Sequence, residues 1–376
     1  MGVKLPPPRL PARNTLLPGQ CGILPLDIPV DRPVPVLFGY ESSYPPDASE
    51  LALPDVADAR RRLQAFRPDI AERLAAIAQR FGVDARALDA AILGTARLAL
   101  RHGSLGGDFH DYHNENHVLE VGERRLLRMA ADMGQQTPDA ADIAALMMFA
   151  ACHDLRQRES YDFPGPVGGN EAASCAEAFR IMDACGFDRE ADRAQYVALE
   201  LMISGSTFDS RPPTLSDPQT EQLPDVAGGA LARGLHLWLE NNVPRWRENA
   251  DARRGVRLAR LAADLDTANV GEDFGQLCET ALRLCREREM RAGRALDAAA
   301  SALPCLGFLG AGQEYYFYEL HQFSSREGER VFGPQKASNG PRVRAVTAAL
   351  HARFADAPPA NGEAVLAAFS ELSLAQ

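Results

Sequence analysis

Ala140-Ala141-Asp142-Ile143-Ala144-Ala145-Leu146-Met147-Met148-Phe149-Ala150-Ala151-Cys152-His153-Asp154-Leu155 is the stretch that decides the fold. It is apolar nearly all round rather than striped, which is the pattern of a helix in the middle of a bundle. It closes on an adjacent His153-Asp154 pair. An ionised carboxylate at the end of a core helix costs roughly several kcal/mol unless something compensates it. A buried His–Asp hydrogen bond is the simple explanation; a coordinated cation would stabilise carboxylate and imidazole together.

Upstream lies Tyr112-His113-Asn114-Glu115-Asn116-His117, whose second histidine precedes His153 by 36 residues. In a helix His113, His117 and Val121 fall on one face at steps of four, so both imidazoles can reach one point. Two histidines alone read as a solvated helix start. With His153-Asp154 added, the set suits a first-row divalent metal or Mg²⁺, and such an ion lets water act as a nucleophile at neutral pH. Downstream, Leu261-Ala262-Ala263-Asp264-Leu265-Asp266 offers two further carboxylates. Relative to the Leu258, Leu261 and Leu265 stripe, each lies about a right angle away on opposite sides. Periodicity leaves that choice open, one as ligand and the other solvated.

The surrounding pattern is helical. Leu63, Phe66, Ile70, Leu74 and Ile77, then Leu88, Ile92, Ala96 and Leu100, recur at helical spacing. Asn170 is placed to cap a helix running to Cys185, with Gly186 beyond its end. More helices are expected over 195–203, 229–248, 253–270, 274–300 and 341–355. Residues 204–229, with four prolines, read as a long loop or lid. No strand alternation or internal repeat is evident, so an all-α bundle over 56–376 follows. Twelve of the 26 prolines fall within residues 6–54, so 1–55 reads as an extended arm. Its Leu24, Leu26, Ile28, Val34, Val36, Leu37 and Phe38 suit an arm that wraps the body or a partner subunit in a homo-oligomer.

Of the 376 residues, 46% are hydrophobic and 24% charged, the composition of a globular chain, and no apolar run is long enough to cross a membrane. A net charge of −11 disfavours a nucleic-acid polymer as partner. The seven cysteines form no CxxC and read as buried thiols. Met1 to Pro8 has no secretory apolar core, and a cytoplasmic protein is expected.

Tyr112-His113-Asn114 with His117, the His153-Asp154 dyad and Ala263-Asp264-Leu265 together resemble the HD superfamily of metal-dependent phosphohydrolases. The first segment is also similar to the signature of class I cyclic-nucleotide phosphodiesterases. A second set resembles bacterial predicted HD phosphohydrolases: His153-Asp154, Tyr161, Asn170-Glu171-Ala172-Ala173-Ser174 and Leu201-Met202-Ile203. The likeness covers roughly residues 105 to 272.

The resemblance implies an HD-type helical bundle that hydrolyses a phosphoester or phosphodiester of a small substrate, such as a nucleotide or cyclic nucleotide. It implies that His117, His153, Asp154 and Asp264 hold a divalent ion (Mn, Mg, Fe, Zn, Co or Ni). His113 would protonate the leaving oxygen, and Glu171 would orient or deprotonate water. Class I phosphodiesterases carry another histidine shortly after the dyad and two adjacent ones further on, around a second metal. Here the dyad is followed by Leu155-Arg156-Gln157 and the later pair is absent, which implies one ion per site. Arg156 as a phosphate clamp, Asn114, and Gln313 as an amide reader beside Phe308, Tyr315, Tyr316, Phe317, Tyr318 and Phe323 are the substrate-contact candidates. That aromatic group otherwise reads as core. Arg286, Arg288, Arg291 and Arg294, alternating with Glu287 and Glu289, read as a solvated helix face. Two other readings remain: an HD-type di-iron oxygenase, and a non-catalytic interaction module whose metal is structural.

Overall fold

The structure, a computed structural model, describes residues 56–106, 109–134, 138–157, 169–209, 229–243 and 245–376. The arm expected over 1–55, Tyr161 and most of the 204–229 segment lie outside the described residues. Fifteen α-helices appear among those described. They are α1 (Val56–Phe66), α2 (Pro68–Phe81), α3 (Ala85–Arg101), α4 (Glu115–Leu119), α5 (Leu126–Met133), α6 (Ala140–Cys152), α7 (Gly169–Ala184) and α8 (Arg193–Ser206). After them come α9 (Leu235–Asn242), α10 (Ala250–Thr267), α11 (Phe274–Arg291), α12 (Ala302–Gly307), α13 (Gln313–Tyr315), α14 (Arg326–Arg353) and α15 (Gly362–Leu374). The architecture is an all-α bundle. Among the described residues the one extended feature is a two-residue antiparallel pair, Phe208–Asp209 with Gly229–Ala230. No described helix is long and apolar enough to cross a membrane.

Side-chain caps set several of the helix starts. Asp84, Asn114, Asp139, Asn249, Asp273, Ser325 and Asn361 each accept an N–H of the first turn, satisfying donors that helix geometry leaves over. Gly186, at φ 83°, follows α7 where a left-handed residue is needed. Some expected boundaries shift. Helix α11 stops at Arg291 before Gly293, also left-handed, and α14 begins at Arg326 and runs through Pro334 and Pro341. Phe66, expected in the stripe of α1, is 65% exposed.

Helix α6 is central as its composition requires, with every residue from Asp142 to Cys152 buried. It packs on α3, and α8 packs along α10. The closeness of these pairs depends on small residues. A Cβ at Gly94 would come within 2.8 Å of Cys152 Sγ, and one at Gly255 within 2.6 Å of Leu201 Cδ1. Two large apolar clusters result among the described residues. One is built mainly from α1 to α10, and the other from α11, α12, α14 and α15 with Leu309 and Phe317.

The seam between these clusters runs just past the end of α10. There Asn339 of α14 donates to the carbonyls of Val270 (3.0 Å) and Glu272 (2.8 Å). The contact is tight against backbone: a Cβ at Gly271 would sit 2.6 Å from the Phe332 carbonyl oxygen. Backbone cannot step aside as a side chain can, so Gly271→Ala is expected to lower stability by about 1–3 kcal/mol. Thermal unfolding checks this; an unchanged Tm would contradict the packing account.

Candidate metal centre

Three helical segments bring side chains to one point. His117 lies in α4, His153 is the residue that caps α6, and Asp266 is in the last turn of α10. Their ligand atoms all lie within 4.8 Å of one another. His117 Nε2 is 3.0 Å from Asp266 Oδ1, and His153 Nε2 is 3.4 Å from the same oxygen. Asp154 joins through Oδ2, 3.0 Å from His153 Nε2 and 3.7 Å from His117 Nε2. Metal–ligand bonds of about 2.1 Å at octahedral or tetrahedral angles separate neighbouring donor atoms by about 3.0–3.4 Å. Three of the four distances fall in that range, and the fourth, His117 Nε2 to Asp154 Oδ2, is 3.7 Å.

The donor atoms also face the right way. His153 Nδ1 lies 3.1 Å from the Phe149 carbonyl, an acceptor, so Nδ1 carries the proton and Nε2 keeps its lone pair. His117 Nδ1 faces Glu120 Oε2 at 3.2 Å, with the same consequence. His153 Nε2 and Asp154 Oδ2 are buried and have no hydrogen-bond partner. Such atoms cost free energy unless something else engages them. A divalent ion fits this set, and two nitrogens with two carboxylate oxygens suit Mn, Fe, Co, Ni or Zn.

The charges agree. Burial works against a charge on His117, but hydrogen bonds to Asp266 and Glu120 raise it above the ordinary imidazole range. Burial likewise opposes a charge on His153, whose neighbours Asp154 and Asp266 raise it well above that range. Burial opposes ionisation of Asp154 and Asp266 as well, yet the two imidazoles hold both below the usual carboxylate range.

Asp264, the carboxylate favoured by the resemblance, is not part of this group. It is buried under the start of α14, where it accepts from Ser324 N (2.5 Å), Ser325 N (2.9 Å) and Ser325 Oγ (2.5 Å). A Cβ on Gly328 would lie 2.2 Å from its Oδ2. Burial pushes the Asp264 carboxyl up to about 7, with the three donors pulling the other way. It ties α10 to α14, and neither aspartate is simply solvated. Asp266, turned to the opposite side of α10, is the carboxylate that meets the two histidines.

His113 does not share a helix with His117. It precedes α4, partly exposed, and is held from α11. Glu287 accepts from Tyr112 N and His113 N, both at 3.0 Å, and faces His113 Nδ1 at 2.6 Å. One turn earlier, Arg283 donates to the carbonyl of Asp111 at 2.8 Å and to Glu120 Oε1 at 2.6 Å. The turn 283–287 therefore grips the histidine segment by its N–H and C=O groups together. Burial opposes ionisation of Glu287, but the charges and hydrogen bonds of His113 and His110 keep it well below the usual carboxylate range. Glu287 is 2% exposed and Glu289 is fully buried on Arg294, so the two glutamates are not on the solvated face expected here, whereas Arg288 is exposed. Nothing local distinguishes Glu287 from the exposed Glu279 of the same helix.

Glu171 lies in the first turn of α7. Burial pushes its carboxyl up to about 7, with the charge of Asp154 adding to the effect. Ser174, one turn on, accepts the N–H of Arg156 at 3.0 Å and so seats α7 beside the dyad. Arg156 itself is 2% exposed, its guanidinium 3.9 Å from Glu177, so it is not presented to a phosphate. Asn114 is committed at both ends of its amide, to Asn116 N (2.9 Å) and the His110 carbonyl (2.6 Å), and works as a cap rather than a substrate contact. Gln313 lines a small apolar cavity among Phe274, Leu277, Val343 and Phe369 in the second cluster, apart from the histidines. Phe317 is core, as that group's plainer reading held.

No protein-family model and no curated protein matches the chain. A solved structure of LmjPDEB1 in complex with IBMX, a Leishmania class I cyclic-nucleotide phosphodiesterase, is similar over 82% of this chain and 90% of that one. The identity is 16% and the TM-score 0.43. A likeness of that degree leaves the chemistry to be read from the residues themselves.

Two outcomes follow. Asp266→Asn should abolish tight metal binding, a larger loss than the about 10- to 100-fold that removing an outer partner costs. Asp264→Asn should keep the metal and lose about 1–3 kcal/mol of stability. Elemental analysis and thermal unfolding of the two variants separate them, and the reverse pattern would contradict the assignment. Both imidazoles are raised above their ordinary range by the neighbouring carboxylates, so a metal ion competes with protons for their Nε2 atoms. Metal loading should therefore release protons, with affinity falling as pH falls. Calorimetry in buffers of differing ionisation enthalpy measures this; no proton release would contradict it.

Proposed function

We propose that the chain is a metal-dependent phosphohydrolase that cleaves a phosphoester or phosphodiester bond of a small substrate, with nucleotides or cyclic nucleotides the class to test first. The observation that supports it is the convergence of His117, His153, Asp154 and Asp266, flanked by two further groups suited to moving protons. These four residues would hold the ion. When bound, it would lower the pKa of water and offset negative charge building on the phosphoryl group.

The chain's own residues supply the rest. Glu171, in the first turn of α7 beside the dyad, would take a proton from the attacking water. His113 has Nδ1 committed to Glu287, which leaves Nε2 to deliver a proton to the departing oxygen. Glu287 acts through His113 by fixing its ring. Arg125 acts on the other wall, donating to the backbone carbonyls of Leu265 (2.9 Å) and Asp266 (2.6 Å) and so setting the end of α10. Asp266 and His113, with side chains 20% and 21% exposed, mark the side from which a substrate can enter. A purely structural metal would need neither the His113–Glu287 pair nor a carboxyl beside the dyad.

A screen of metals against linear and cyclic nucleotides and generic phosphoesters tests the reading. His113→Ala and Glu171→Gln should each lower kcat by about 10²- to 10⁴-fold while metal content stays at the wild-type value. His117→Ala should lose both metal and turnover. Absence of metal-dependent hydrolysis across the screen would contradict the proposal, as would equal metal loss in all three variants.

A further inference from the structure

The two carboxylate oxygens of Asp154 are in different situations. Oδ1 accepts the side-chain N–H of Gln157 at 2.6 Å, in a buried contact. Oδ2 has no hydrogen-bond partner and faces both imidazole Nε2 atoms. The orientation of the amide is forced: an ionised carboxylate only accepts, so the NH₂ end of Gln157 is the end that meets it.

We propose that Gln157 confines the centre to a single divalent ion by committing Asp154 Oδ1 to an N–H and leaving Oδ2 as a terminal, one-oxygen ligand. A carboxylate that joins two cations most often does so through both of its oxygens. Here the second oxygen is met by a donor, and its hydrogen stands where another cation would approach. The charges point the same way. Asp154 and Asp266 carry −2 between them, which one dication offsets; a second would leave uncompensated positive charge in a buried site. Among the described residues two neighbouring carboxylates are already engaged, Glu120 by Arg283 and His117, and Glu287 by His113, and Glu171 is the group assigned above to the water. The selection acts through a hydrogen bond on a ligand's far oxygen, so Gln157 is a positioning residue that touches neither metal nor substrate.

The inference rests on the reading of this cluster as a metal centre, and the test separates the two. The full chain, stripped with a chelator, is titrated with Mn²⁺; bound ion is counted by elemental analysis, and electron paramagnetic resonance reports whether the ions are magnetically coupled. Wild type should hold one ion per chain with an uncoupled signal. Gln157→Glu replaces the donor by an acceptor and should hold two, with a coupled signal. Gln157→Ala frees the same oxygen without adding charge and should admit a weaker second ion, which keeps the test open if the glutamate variant does not fold. Two ions in wild type would overturn the inference. One ion in every folded variant would overturn the role given to Gln157. No ion in wild type would overturn the metal centre itself, and the inference with it.

Discussion

Two imidazoles and two carboxylates, drawn from three helical segments, face one point in a largely buried site. Unpaired polar atoms there are costly, and the arrangement persists because each of the four side chains is held from behind. The Phe149 carbonyl holds His153, Glu120 holds His117, Gln157 holds Asp154, and Arg125 holds the backbone under Asp266. Each of these contacts fixes which atom of the ligand is left facing inward. The site is therefore specified by a ring of outer hydrogen bonds as much as by the ligands.

The outer ring ties the site to the whole bundle. Helix α6 can end in a histidine and an aspartate because its apolar body is buried and packed on α3. Helix α10 places Asp266 because its end is clasped by Arg125 on one side and by α14 on the other. Helix α11, which belongs to the second apolar cluster, reaches back to hold His113. The candidate catalytic histidine thus depends on the seam between two cores, and packing changes at that seam should be felt at the chemistry.

Local pattern carried much of this into the sequence. The all-round apolar helix at 140–152 and the His153-Asp154 pair at its end are properties of a short continuous stretch, and both were legible. His117 was legible because it accompanies them. Asp264 and Asp266 were not separable, since they straddle the apolar stripe symmetrically and the family ending drew attention to Asp264. What decides between them is the distant Ser324–Ser325 turn, which engages one and leaves the other to the histidines. Glu287 and Arg283 were hidden for a similar reason. Their partners lie about 170 residues away, and their helix reads locally as an ordinary charged one. Asn114, Arg156 and Gln313 have the chemistry of substrate contacts, but a cap, a buried ion pair and an apolar cavity have claimed them.

X-ray absorption on the metal-loaded chain tests the central claim most directly, because it reports the donors around the ion without reference to activity. The account predicts a shell of nitrogen and oxygen only, with the scattering signature of two imidazoles. A fully hydrated ion, or a shell containing sulfur or no imidazole, would contradict it.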